Sequence, residues 1–105
     1  MWYASGRLQN PVQNQVIVDT GALAAKQRMF RCVVAATVNC ALELQHVAAD
    51  GTTILKTQII AVTAYGTVAL GPQVEEVTME TNERIRLIAV AAVTGFVSAS
   101  LDITL

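Results

Sequence analysis

The side chains able to do chemistry are few in this sequence, and their spacing keeps them apart. The single histidine, His46, sits in CALELQHV, where strand alternation sets it beside Leu42 and Leu44 with no nucleophile on the same face. That describes a satisfied, partly buried histidine and not a general base. Ser98, Ser100 and Asp102 share one parity near the end of the chain, but Ser and Asp without His make no nucleophile-activating relay. Glu75, Glu76, Glu80 and Glu83 form an acidic cluster in VEEVTMETNE. Calcium needs several oxygens from a tightly turned loop. The Asp-x-Asp-x-Asp spacing is missing, so the cluster reads as a solvated strand edge. Arg84 and Arg86 project from one side of their strand, either as rim charges or as a clamp for a partner carboxylate. Neither a glycine-rich phosphate loop nor a Cys/His zinc spacing occurs. No catalytic residue, metal or cofactor is expected, and the chain does not read as an enzyme.

Cys32 and Cys40 flank a turn at Val38-Asn39. A tight hairpin there sets Cys40 opposite Thr37 and Cys32 opposite Gln45, which separates the two thiols beyond the Cα limit of about 7 Å for a disulfide. They are expected to be reduced and packed as small hydrophobes.

The elements that must position these groups follow from composition and punctuation. The 105 residues suit one domain. They are 53% hydrophobic and only 14% charged, against roughly 25% charged in ordinary soluble domains. Much of the outside must therefore be neutral, or be covered in the working state. A net charge of −1 with scattered cations leaves no footprint for nucleic acid. No apolar run reaches membrane length, and the opening residues lack a signal-peptide core, so a soluble protein made inside the cell is expected.

After Pro11 the pattern becomes short β-branched runs between turn signals. Strands are expected at Gln15–Asp19, Gln27–Thr37, Cys40–Val47, Thr53–Val62, Gly66–Leu70, Glu75–Glu80, Arg84–Ala92 and Phe96–Leu105, with GALAAK as a loop. About eight strands at this spacing predict an all-β antiparallel sandwich, jelly-roll-like, over residues 15–105. Residues 1–14, MWYASGRLQNPVQN, read as an extended N-terminal arm without a core of its own.

Two hairpins carry sharper expectations. In LQHVAADGTTILKTQII the Asp-Gly turn favours an even-length loop, with Leu42, Leu44 and His46 on an apolar face and Glu43, Gln45, Lys56 and Gln58 on a polar one. With Thr94-Gly95 as the last turn, Ile88, Val90 and Ala92 face Leu101, Ala99 and Val97 as core. The reverse face then holds Leu87, Ala89 and Ala91 against Asp102, Ser100 and Ser98. That reverse face is small-residued and nearly uncharged, and is covered either by the protein's own second layer or by another subunit.

The whole resembles the small decoration, or cement, proteins of tailed bacteriophage heads. The resemblance is carried by MWYASGRLQNPVQNQ as an arm, the LQHVAADGTTILKTQII hairpin and the closing NERIRLIAVAAVTGFVSASLDITL. It implies a non-enzymatic virion protein on the outer capsid surface, binding the major capsid protein as a homodimer or homotrimer, with no membrane or nucleic-acid partner. The interface residues would be Trp2, Tyr3 and Arg7 of the arm with Leu87, Ala89, Ala91, Ser98 and Ser100. The arm either docks its Trp2-Tyr3 pair on a neighbour or folds back on its own sandwich. The alternative is a small jelly-roll carbohydrate-binding module with Tyr65 and nearby polar side chains lining a shallow site.

Overall fold

The computed structural model describes residues 2–70 and 77–104, with Trp2, Tyr3, Phe30, Leu70 and Val77 described by their backbone alone. Among the described residues there are nine strands and no helix: β1 (Trp2–Gln9), β2 (Val16–Asp19), β3 (Gln27–Ala36), β4 (Cys40–Val47), β5 (Ile54–Val62), β6 (Thr67–Leu70), β7 (Val77–Met79), β8 (Arg84–Ala89) and β9 (Phe96–Thr104). Two sheets form. In the first, β1, β9, β3 and β6 lie side by side, and β7 pairs with the start of β3; the second runs β2-β8-β4-β5. Every pairing is antiparallel. The chain crosses between layers at most connections and stays in one layer only from β4 to β5 and from β6 to β7. The protein is an all-β sandwich, as its turn spacing predicts.

The core is where the two inner faces meet. Met29, Cys32, Val34, Val97, Leu101 and Ile103 of the first sheet pack against Leu42, Leu44, Ile60, Ile85, Leu87 and Ala89 of the second. Period-two alternation dictates this split. Along β9, Val97, Ala99, Leu101 and Ile103 are buried, while Phe96, Ser98, Ser100, Asp102 and Thr104 point away from the core.

Four expectations need correction. The segment expected as an arm is extended, but it is not free: Trp2–Gln9 pairs residue for residue with β9, from Trp2 opposite Ile103 to Gln9 opposite Phe96. Its Ala4 and Leu8 pack on the core while Ser5, Arg7 and Gln9 are exposed. A backbone with a row of partners beside it satisfies its N–H and C=O groups there, and that outweighs the segment's polar composition. Gly6 makes the docking possible, because a Cβ at that position would lie 2.0 Å from the Ile17 carbonyl oxygen of β2.

The terminal hairpin does not exist. β8 and β9 belong to different sheets, and Val93 N–H instead donates to Pro11 O across 2.9 Å. Leu87 and Ala89 are fully buried inside, and Ala91 lies exposed beyond the end of β8. From Leu87 to Ala92 both parities are apolar, which hides the inward face, although Arg84 and Arg86 mark the parity of Ile88 as the outward one. The Val38-Asn39 turn likewise crosses between sheets, from β3 to β4, and leaves Cys32 and Cys40 as free thiols. Finally, the β4–β5 ladder carries a register shift. Val47 faces Ile54, as an even loop requires, but beyond the bulge His46 faces Lys56 and Leu44 faces Gln58.

Candidate functional site

The outward parity of the first sheet builds a shallow groove. Its rows are fixed by register. Arg7, Ser98, Ala35 and Thr67 lie in line across β1, β9, β3 and β6. The next row is Ser5, Ser100, Val33 and Ala69. Small side chains at the centre of a face leave a hollow. The depression over Ser5, Val33, Ala35, Ser98 and Ser100 holds about 530 Å³. It continues into a second of about 440 Å³ beneath Tyr65, Thr67 and Phe96. Both lie in the range of roughly 300–1,000 Å³ found for ligand clefts.

One end of the groove is walled by aromatics held from several directions. Thr37 Oγ1 accepts from Phe96 N–H at 2.9 Å, and Thr37 N–H donates to Phe96 O at 3.0 Å, which pins the start of β9 to the end of β3. Tyr65 N–H donates to Ala36 O at 2.8 Å, and Ala64 N–H donates to Asn39 Oδ1 at 2.7 Å, so the β5–β6 turn is tied to the same end. Tyr65 itself is 86% exposed and has a φ of 59°, in the left-handed region. A bulky residue there is an outlier costing of order 1–3 kcal/mol. An exposed aromatic ring presented from a strained turn contributes nothing to the core, so its position is a candidate for function.

Arg7 stands between the two depressions. Its guanidinium carbon lies 4.5 Å from the centroid of the Phe96 ring, a cation–π contact that holds the fork over the groove. At the far end Arg31 Nε donates to Asp102 Oδ2 at 2.6 Å. The hydroxyls of Ser5, Thr67, Ser98 and Ser100 bond to no other side chain or backbone group among the described residues.

The remaining candidates are elsewhere. Of the expected interface set, Arg7, Ser98 and Ser100 come together in the groove, whereas Leu87 and Ala89 are core and Ala91 lies outside it. Trp2 and Tyr3 have backbone places opposite Ile103 and Asp102, but their side chains, like all of Glu75 and Glu76, lie outside the described residues. His46 Nε2 is 2.8 Å from Glu83 Oε1, a half-buried pair that ties β4 to the turn before β8. The Glu83 carboxyl is held below its ordinary range, first by the hydrogen bond from Glu80 N–H and then, against the opposing effect of desolvation, by His46. Arg84 and Arg86 turn to the protein's own surface: Arg84 Nη1 is 3.6 Å from Asp19 Oδ2, and Arg86 Nε donates to Gln45 Oε1 at 2.8 Å. Among the described residues no three His, Cys, Asp or Glu side chains converge as metal ligands.

Sequence reasoning did not find Ser5, Val33, Ala35 and Thr67. The signal was present in ASGRLQ, where small or apolar Ala4, Gly6 and Leu8 alternate with Ser5, Arg7 and Gln9. Two residues of Gly and Ala on the inner side made that alternation weak.

No protein-family model matches the chain, and no curated protein sequence matches it either. Solved structures do resemble it. A CBM4 structure superposes with a TM-score of 0.61 at 10% identity, covering 97% of this chain and 70% of that one. The N-terminal cellulose-binding domain of Cellulomonas fimi beta-1,4-glucanase C gives a TM-score of 0.56 at 10% identity, over 98% and 77%. PirA gives 0.55 at 13% identity, over 97% and 94%. These likenesses establish the β-sandwich fold.

Proposed function

We propose that the protein is a non-catalytic carbohydrate-binding module that lays a glycan strand along the outer groove of the first sheet. The observation that carries this is Tyr65, a fully presented ring on a strained turn at the mouth of a hydroxyl-lined hollow. A sugar ring has an apolar C–H face and a polar rim. An aromatic wall can stack on the first, and the Ser and Thr hydroxyls can exchange hydrogen bonds with the second. The similarity in fold to solved carbohydrate-binding modules supports the reading and makes glycans the ligands to test first. No described residue on this face activates a nucleophile, and binding without turnover is the role assigned.

The test is a glycan array followed by affinity electrophoresis. Binding is expected to weaken about tenfold in Tyr65→Ala, the loss of one stacked ring at up to about 1.5 kcal/mol. A blank array, or a Tyr65→Ala protein that binds as well as the wild type, refutes the proposal.

A second reading is favoured by the opposite sheet. Along β5, Leu55 is 51% and Ile59 57% exposed, with Ile54 also at the surface. Apolar side chains grouped this way suit a protein contact, and they support a decoration protein that binds the major capsid protein on the outer surface of a phage virion as a homodimer or homotrimer. Light scattering together with co-sedimentation on phage shells tests it. A monomer that stays in the supernatant excludes it.

A further inference from the structure

We infer that the groove selects acidic glycans, polymers bearing carboxylates such as uronic-acid chains, over neutral ones; the inference rests on the carbohydrate reading above. Among the described residues Arg7 is the charged side chain within the groove. The carboxylate nearest the far end, Asp102, is already held by Arg31 at 2.6 Å. No described carboxylate forms an ion pair with Arg7, and its guanidinium is oriented instead by the Phe96 ring at 4.5 Å. Among the described residues the hollow therefore carries one positive charge without an ion-pair partner, beside a floor of Ser5, Ser98 and Ser100 hydroxyls.

That arrangement matches a carboxylate on a sugar ring. The planar guanidinium fork presents two parallel N–H donors to the two carboxylate oxygens, a geometry an ammonium cannot reproduce. The cation–π contact holds the fork in place before the ligand arrives, so little rotamer freedom remains to be lost on binding. The neighbouring Ser hydroxyls reach the ring hydroxyls beside the carboxylate. A neutral sugar would stack on Tyr65 equally well but leave the Arg7 charge without a counterpart. Repetition along a polyuronate chain places another carboxylate within reach at each step of sliding.

The experiment is native affinity electrophoresis of the full chain in gels containing polygalacturonate, dextran sulfate or a neutral glucan, with wild type, Arg7→Gln and Arg7→Lys. Polygalacturonate is expected to retard the wild type most. Arg7→Gln should lose that retardation about ten- to hundredfold, the range for a charge-assisted hydrogen bond. Arg7→Lys should fall between, since it keeps the charge and loses the fork. Retardation should weaken as salt is raised. Circular dichroism of both variants separates lost binding from lost folding. Equal retardation by the neutral glucan, or an Arg7→Gln protein that binds polygalacturonate like the wild type, overturns the selectivity and leaves the carbohydrate reading standing. Equal or stronger retardation by dextran sulfate overturns carboxylate recognition in favour of general polyanion attraction. If none of the three polymers retards the protein, the carbohydrate reading itself falls, and the inference with it.

Discussion

The two outer faces of this sandwich obey the same alternation and use their polar groups in opposite ways. On the second sheet the side chains bond to one another. Gln45 Nε2 donates to Glu43 Oε2 at 2.7 Å, Arg86 Nε donates to Gln45 Oε1 at 2.8 Å, and Asp19 faces Arg84 across 3.6 Å. Gln45 is thereby buried among its partners. On the first sheet the serine and threonine hydroxyls of the groove have no protein partner among the described residues, and Arg7 leans on the Phe96 ring with no described carboxylate beside it. Gln58 Oε1 and Arg84 Nε apart, which are buried without a hydrogen-bond partner, the second sheet's network is spent on the fold and leaves little for a ligand. Unpaired groups on a rigid floor contribute little to stability and are free for one. The difference in how the two faces use their polar groups supports the proposed binding face without reference to any relative.

This contrast can be broken from either side. The largest effect is expected from Gly6→Ala, which forces a methyl group onto the Ile17 carbonyl at 2.0 Å. Lifting β1 from β2 should cost about 1–3 kcal/mol in chemical denaturation and abolish groove binding with it. If the variant is as stable as the wild type, β1 is not held where it is described. Next comes Gln45→Ala on the other face. Removing the middle of the Glu43–Gln45–Arg86 chain should destabilise by about 1–2 kcal/mol and leave glycan affinity unchanged. A change in affinity would show that the faces are coupled.

Tyr65→Asn sharpens the comparison further, because its two effects should have opposite signs. Asn tolerates a φ of 59° better than Tyr does, so stability should rise by up to about 1 kcal/mol while binding falls. A variant that loses both would make Tyr65 structural. The smallest effect is expected at Glu83, away from both faces. Its folded-state carboxyl titrates below the ordinary glutamate value. It therefore adds stability that is present above the unfolded pKa and lost as pH falls through the lowered one. Glu83→Gln should flatten the acid limb of a thermal-melt profile and leave the neutral region nearly unchanged. An acid limb identical to the wild type would show that the Glu80 and His46 contacts do not hold the charged form.

Much of this was legible in the chain, for reasons tied to particular segments. CALELQHV begins and ends where β4 does, because its apolar residues recur at every second position between turn signals. FVSASLDIT shows its inner and outer faces with the same clarity, and Ser98 and Ser100 were singled out on that account. What stayed hidden depended on partners. ASGRLQ becomes a strand only because β9 lies beside it, almost the full length of the chain away. RIRLIA shows an inward parity in Ile85, Leu87 and Ala89 against Arg84 and Arg86, but the sheet it joins is settled by crossover geometry and not by its own pattern. The bulge beside Val47 shifts the β4–β5 register by one residue, which no count of loop length reveals. Tyr65 reads as an exposed aromatic, but its strained turn is set by hydrogen bonds to Ala36 at the end of β3 and to Asn39 in the turn before β4.

The pairing of Trp2–Gln9 with Phe96–Thr104 has one further consequence, for synthesis. β9 is the centre of its sheet, flanked by β1 and β3. While a ribosome is still making residues 96–104, β1 lacks β9, the strand it pairs with among those described, and must wait as unpaired chain. The hollow thus cannot form until residues 96–104 have been made, and a nascent chain arrested before Phe96 should be readily cut within residues 2–9 by a protease that spares the finished protein.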